Sequence, residues 1–177
     1  MKQTSKIQSN PGQSSAVQRS ASPFMSPRQD CGPDRLPALL RKPDEETQKR
    51  LNAKLLTAAK KGDTKKAQRL ITKGADVDAR DELRWTPLMY AAYNGHRKTA
   101  DMLLSLGALV DARNNVQWTA LMLASHRGRT KTAETLINHG AYVNETDIEG
   151  WTALNWAMGH PETFAMLGRH GANMLRR

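Results

Sequence analysis

Residues 85–111 read WTPLMYAAYNGHRKTADMLLSLGALVD, and residues 118–144 read WTALMLASHRGRTKTAETLINHGAYVN. Laid one over the other, they keep Trp85 above Trp118, Thr86 above Thr119, Leu88 above Leu121, Gly95 above Gly128 and Gly107 above Gly140. The interval from Trp85 to Trp118 is a constant step for every one of these columns, and it continues in both directions. Trp151, Thr152 and Leu154 begin a further copy, while Leu55, Gly62 and Gly74 hold the same register on the N-terminal side. Several independent columns sharing one period mean tandem units, each too small to bury its own apolar face and therefore stacked on its neighbours.

Apolar spacing within a unit predicts two short helices. Leu88, Ala91 and Ala92 recur as Leu121, Ala124 and Ser125, and again as Leu154, Ala157 and Met158. Ala100, Leu103 and Leu104 recur as Ala133, Leu136 and Ile137. Both sets follow i, i+3, i+4, which puts three side chains on one helical face. Small alanines suit a closely packed inner column, and leucines a thicker outer one. Thr86-Pro87 reads as an N-cap and first helical residue, because proline lacks only a donor that the first turn leaves unused. Gly95 and Gly107 tolerate the positive φ at which helices end. Ala108-Leu109-Val110-Asp111, matched by Ala75–Asp78 and Ala141–Asn144, is expected to form a short extended arm before a turn at Asn114-Asn115 or Asp147–Gly150.

The pattern Trp85-Thr86-Pro87-Leu88, Ala91-Ala92, Gly95-His96, Leu103-Leu104, Gly107-Ala108, Val110-Asp111 resembles the ankyrin repeat, a unit of a β-turn and two helices. Resemblance runs over residues 51–173 and implies an all-α solenoid of about four helix-turn-helix units with short β-turn connections. The units are placed at 44–81, 82–114, 115–147 and 148–177. Where that pattern has a turn glycine, only Gly150 keeps it; Arg84 and Gln117 stand at the other two places, so those turns are expected to be strained or reshaped. The family's histidine after Pro-Leu is Met89, Met122 and Asn155 here, so its hydrogen bond to the threonine is expected to be missing. The last unit is two residues short, Gly159-His160-Pro161 arriving early. Asp44-Glu45-Glu46 open a helical run to Lys61, their charges complementing its dipole. Lys54, Lys60, Lys61, Lys65 and Lys66 supply the wet outer face of an end cap.

Composition divides the chain at about Pro43. Six of the eight prolines and seven serines lie in residues 1–43, a segment expected to be a disordered, basic tail because it cannot bury enough surface to offset its ordering entropy. That tail holds seven Lys/Arg against two acids, so half of the net charge of +10 sits on it. Residues 1–29 carry four basic side chains and no acid, a bias shared with transit peptides, but their prolines oppose an amphipathic helix. Cys31 is the only cysteine, which rules out an internal disulfide or a thiolate zinc site. There is no apolar run of a secretory signal or a membrane span, so an intracellular, cytoplasmic protein with no membrane association is expected.

No catalytic constellation can be assembled. His96, His139, His160 and His170 sit beside glycines at repeat-equivalent loops, which explains them as helix-end residues, and only His126, next to Arg127, stands apart. Neither a phosphate loop nor a nucleophile elbow nor a metal-ligand spacing occurs, so no enzyme, metal or cofactor is expected.

The family resemblance implies a binding surface made of turn tips and inner helix faces. On this sequence it comprises Arg80, Glu82, Leu83, Trp85, Tyr93 and Asn94; then Arg113, Asn115, Val116, Trp118, His126 and Arg127; then Thr146, Ile148, Glu149 and Trp151. Aromatic residues and arginine are enriched in binding hot spots. The tryptophans also admit a purely packing role against their own turns, and Tyr90 and Trp156 lie deeper in the first-helix pattern, as core. The expected function is capture of a protein segment on the concave face by a monomeric module. Arg80, Arg113 and Arg127 suggest that the segment is acidic. The alternative is polyanion or nucleic-acid binding through the basic tail and the lysine-rich first unit, and a third is service as a subunit or regulatory arm of a larger complex. Ser22-Pro23 and Ser26-Pro27 offer phosphorylation sites, with a plain linker as the simpler reading.

Overall fold

The computed structural model describes residues 44–174. The tail, Cys31 and both Ser-Pro steps lie outside the described residues. Eight helices follow in order: α1 Glu45–Lys61, α2 Thr64–Thr72, α3 Pro87–Asn94, α4 Arg97–Ser105, α5 Ala120–His126, α6 Thr130–Asn138, α7 Ala153–Trp156 and α8 Pro161–Arg169. Among the described residues there is no strand. They pair as α1–α2, α3–α4, α5–α6 and α7–α8, the first helices stacking on one another and the second helices likewise.

The caps form where the sequence places them. Thr86, Thr119 and Thr152 are extended, and each hydroxyl accepts the N–H three residues on, from Met89, Met122 and Asn155. Asp44 caps α1 by accepting from Thr47, an interaction that holds its carboxyl below the ordinary value. Gly62 ends that helix at φ 74°, and Gly95 ends α3 at φ 78°. A Cβ on Gly62 would stand 2.5 Å from the ring of His96, whose Nε2 meets the Lys60 carbonyl at 3.1 Å. His160 repeats the arrangement against Gly128 and the His126 carbonyl, and the Arg129 side chain fills the corresponding place over Gly95. These loop side chains lock each unit to the one before it.

Alanines fill the inner seam as expected: Ala91, Ala92, Ala124 and Ala157 are fully buried. Leu88, Met89, Leu103, Leu121, Met122, Leu123, Leu136 and Leu167 join them in one continuous core. Leu55, Ala58, Ala67 and Leu70 form a second cluster under the first unit, bridged to the first by the partly buried Ile71 and Met102, and Lys54, Lys60, Lys61, Lys65 and Lys66 are all exposed.

Two expectations need correction and one is narrowed. The segments at Ala75–Asp78 and Ala108–Asp111 are tight turns rather than extended arms, with Ala79 and Ala112 donating back to Asp76 and Leu109. Their last residue carries a function that the extended reading hid. Asp78, Asp111 and Asn144 each accept a backbone N–H from the following unit, those of Leu109, Tyr142 and Asn173. Burial raises the Asp111 carboxyl above its ordinary value despite the Tyr142 N–H and Arg113, which both favour its charge. Second, of the two outcomes expected at Arg84 and Gln117, strain is the one found: both residues take φ 60°, the region Gly150 enters at φ 77°. Side chains are forced into a left-handed conformation there to preserve the repeat geometry. Third, the hydrogen bond expected to be missing at the threonines is present in the last unit, where Asn155 Oδ1 accepts from the Thr152 N–H at 3.0 Å and lies 2.8 Å from its hydroxyl. Elsewhere only the Met89 sulfur, 3.5 Å from the Thr86 nitrogen, takes that place.

Candidate functional site

Between successive helix pairs the chain makes a finger closed by two backbone bonds: Asp81 N–H to the Trp85 carbonyl, Asn114 to Trp118 and Asp147 to Trp151, with the Arg84, Gln117 and Gly150 N–H groups donating back to the Asp81, Asn114 and Asp147 carbonyls. One side chain holds each tip. Asp81 Oδ1 accepts from Leu83 and Trp85, Asn114 Oδ1 from Val116 and Trp118, and Asp147 Oδ1 from Glu149 and Trp151, all within 3.0 Å. Short polar side chains that mimic a backbone turn in this way rigidify the loop without help from its tip residues. The tips therefore remain available. Neighbouring fingers are also joined, Asn115 N–H donating to the Leu83 carbonyl at 3.2 Å and Ile148 N–H to that of Val116 at 3.4 Å. Asn115 Nδ2 adds a bond to the Glu82 carbonyl.

This ladder brings the exposed apolar side chains Leu83, Val116 and Ile148 onto one row of tips, at 61%, 41% and 62% exposure. Arg80, Glu82, Asn115, Glu149, His126 and Arg127 are exposed with them. Trp85, Trp118, Trp151, Tyr93, Asn94, Arg113 and Thr146 are half-buried. A groove of about 760 Å³ lies between α1 and the first finger, lined among others by Ala53, Leu56, Arg80, Glu82 and Leu83.

The aromatic residues form two clusters. In the first, Trp85 packs on Tyr90 and Tyr93 at centroid distances of 5.0 and 5.6 Å. Lys60 lies over the Tyr90 ring and Arg127 over that of Tyr93, at 5.8 and 4.8 Å. In the second, Trp156 touches Trp118 at 4.5 Å and Trp151 at 4.8 Å, and His126 meets Trp118 and Trp156 at 5.5 and 5.4 Å. Tyr90 and Trp156, expected in the core, are half-buried members of these clusters.

The same finger residues anchor the rings. Tyr90 donates its hydroxyl to Asp81 Oδ2 at 2.6 Å, and burial together with that carboxylate pushes the phenol up to about 12. Asp147 Oδ2 accepts the indole N–H of both Trp118 and Trp156, at 3.1 and 3.0 Å. Asp147 thus receives four N–H donors while only 6% exposed. Although His126 is exposed at its edge, the Trp118 and Trp156 rings partly desolvate its imidazole and lower it below its ordinary value, with Arg127 and His160 adding repulsion.

Of the three arginines that suggested an acidic partner, Arg113 is already engaged. It is ion-paired with Glu145 of the next unit and donates to Gln117 Oε1. Its charge is neutralised, and Arg127 is stacked on Tyr93, so Arg80 is left as the single arginine of that set with no such partner. The anchoring column of Asp81, Asn114 and Asp147 escaped the sequence reading as a functional feature. Its regular spacing was visible, but its role depends on which donors the fold turns toward it.

Among the described residues no group of three or more His, Cys, Asp or Glu side chains is placed to hold a metal ion, and no helix is long and apolar enough to cross a membrane. No curated protein matches the chain. The family model for ankyrin repeats in three copies matches it twice, over residues 32–114 and 106–177. The matched residues include all four helix pairs, and the chain belongs to the ankyrin-repeat family.

Proposed function

We propose that the chain is a non-enzymatic protein-interaction module that takes its partner on the finger tips and the adjoining first helices. Repeats of this family are generic protein-binding scaffolds, so a protein partner is the coarse expectation. The observation that supports the finer assignment is the row of exposed Leu83, Val116 and Ile148 on fingers already held by Asp81, Asn114 and Asp147. Apolar side chains presented on a preorganised backbone lose little entropy on docking, so modest contact area yields useful affinity. With Arg113 paired to Glu145, the row favours an apolar-anchored partner over an acidic one.

The test is affinity capture with the full chain and with a Leu83→Asp/Val116→Asp/Ile148→Asp variant, followed by crosslinking and mass spectrometry. These side chains are exposed, so the variant is expected to melt like the parent. Proteins crosslinked to the parent at the fingers and lost from the variant support the assignment; crosslinks that persist unchanged in the variant refute it.

A second reading has its own support. Lys65, Lys98 and Lys131 are exposed and one repeat step apart, near the start of successive second helices. Such a column on the face away from the fingers suits a polyanion, and binding of that kind weakens steeply with salt. A Lys65→Gln/Lys98→Gln/Lys131→Gln variant that binds RNA homopolymer as tightly as the parent would remove this reading.

A further inference from the structure

The two aromatic clusters differ in one respect that the repeat makes meaningful. Arg127, at the end of the first helix of the third unit, covers the Tyr93 ring of the second. A counterpart in the fourth unit would cover His126, which stands one period after Tyr93, and the Trp118 and Trp156 rings beside it. That counterpart does not exist. His160 occupies the place of His96, since it packs on Gly128 and bonds to the His126 carbonyl as His96 does to Gly62 and Lys60. The stretch from Trp151 to His160 is shorter by two positions than the stretch from Trp85 to His96, and the missing positions come from the end of the helix. Accordingly α7 stops at Trp156, whereas α5 continues to His126. Among the described residues no lysine or arginine lies over the second cluster.

The uncovered rings are well prepared for a cation. Asp147 pulls the indole protons of Trp118 and Trp156 toward its carboxylate, which leaves more electron density on the ring faces. The positive charge of Arg113 is cancelled by Glu145, and that of Arg127, which repels a proton at His126, is turned toward the Tyr93 ring. A planar guanidinium stacks on such faces better than a compact ammonium does.

We propose that the Trp118–His126–Trp156 cluster receives an arginine side chain of the partner protein, in the position relative to it that Arg127 holds over Tyr93. This inference rests on the protein-binding reading above and specifies the chemistry of one contact within it.

The full chain, labelled with ¹⁵N, is titrated with N-acetyl-arginine amide to tens of millimolar, and with N-acetyl-citrulline amide as the uncharged isostere. Single Trp→Phe variants assign the four indole N–H signals. The arginine probe is expected to shift the Trp118 and Trp156 signals and leave Trp85 still, with the citrulline probe binding about two- to fivefold more weakly, the range for cation attraction at a partly exposed ring. Arg127→Ala is an internal control: uncovering Tyr93 is expected to make Trp85 respond as well. Equal response to both probes, or unmoved Trp118 and Trp156 signals, overturns the proposal. Such a failure leaves the finger-variant capture unaffected, because that experiment perturbs Leu83, Val116 and Ile148 and reads proteins rather than a cation. Loss of capture with an intact arginine response would instead remove the broader reading.

Discussion

Replacing Asp147 by asparagine separates the two jobs of that side chain. Asn114 occupies the same place one unit earlier, and its Oδ1 accepts the Val116 and Trp118 N–H groups at 3.0 and 2.9 Å, so an asparagine there sustains the finger. What asparagine cannot do at residue 147 is accept the two indole protons, now held at 3.1 and 3.0 Å by Oδ2. Its Nδ2 would confront them with two more donors. Rotating the amide would satisfy the indoles and orphan the finger instead. A bond to a charged acceptor contributes about 1.5–3 kcal/mol. Both indoles are half-buried, so water recovers part of each loss, and we expect Asp147→Asn to cost about 2–3 kcal/mol in all. For a chain of this size that corresponds to a fall in Tm of roughly 5–12 °C. Urea denaturation followed by tryptophan fluorescence measures the loss, and the indole proton signals of Trp118 and Trp156 should move upfield. Introducing Trp118→Phe and Trp156→Phe removes the orphaned donors, so in that background the same substitution should cost less than about 0.5 kcal/mol. A cost that is the same in both backgrounds, or negligible in the parent, would refute the assignment of Asp147 as a shared anchor.

Other outcomes follow from single observations. Arg84→Gly relieves a φ of 60° and should stabilise the chain by about 0.5–1 kcal/mol in urea denaturation, the relief of left-handed strain exceeding the entropy that glycine adds to the unfolded chain. Gly150→Ala, whose new Cβ meets nothing within 4 Å, should cost about 1 kcal/mol for its φ alone. Gly128→Ala must also displace the His160 ring and should cost more, as thermal melts would show. The Tyr90 phenol, raised to about 12, contributes stability that is complete below the ordinary tyrosine value near 10 and is lost as pH rises toward 12. Ultraviolet titration should find the Tyr90 phenol ionising late, and Asp81→Asn should bring it down. His126 has the opposite sign: lowered by the partial desolvation its neighbouring rings impose, it favours the fold above its ordinary value and withdraws that support as pH falls, and an NMR titration should show Arg127→Ala raising it.

Much of the architecture was legible because it is periodic. One constant step carried the tryptophans, threonines, leucines and glycines together, and caps such as Thr86-Pro87 depend only on local chemistry. The same logic failed where a residue's role is set by another unit. Ala108–Asp111 read as extended because nothing local announces that Asp111 accepts from Tyr142. Arg113 read as a free cation because its partner Glu145 belongs to the next unit. Asn155 read as a loss, although its amide restores the contact to Thr152.

Periodicity in the residues was enough to establish the stacked helix pairs, since each amphipathic unit has one way to hide its apolar face. Which rings touch, which charges cancel and which N–H groups converge on Asp147 are matters of distance between units. A regular step brings equivalent positions close together without stating how their side chains turn, and the two-residue shortening before His160 changes which ring is covered. Those choices emerge only when neighbouring units compete for the same few ångströms of space.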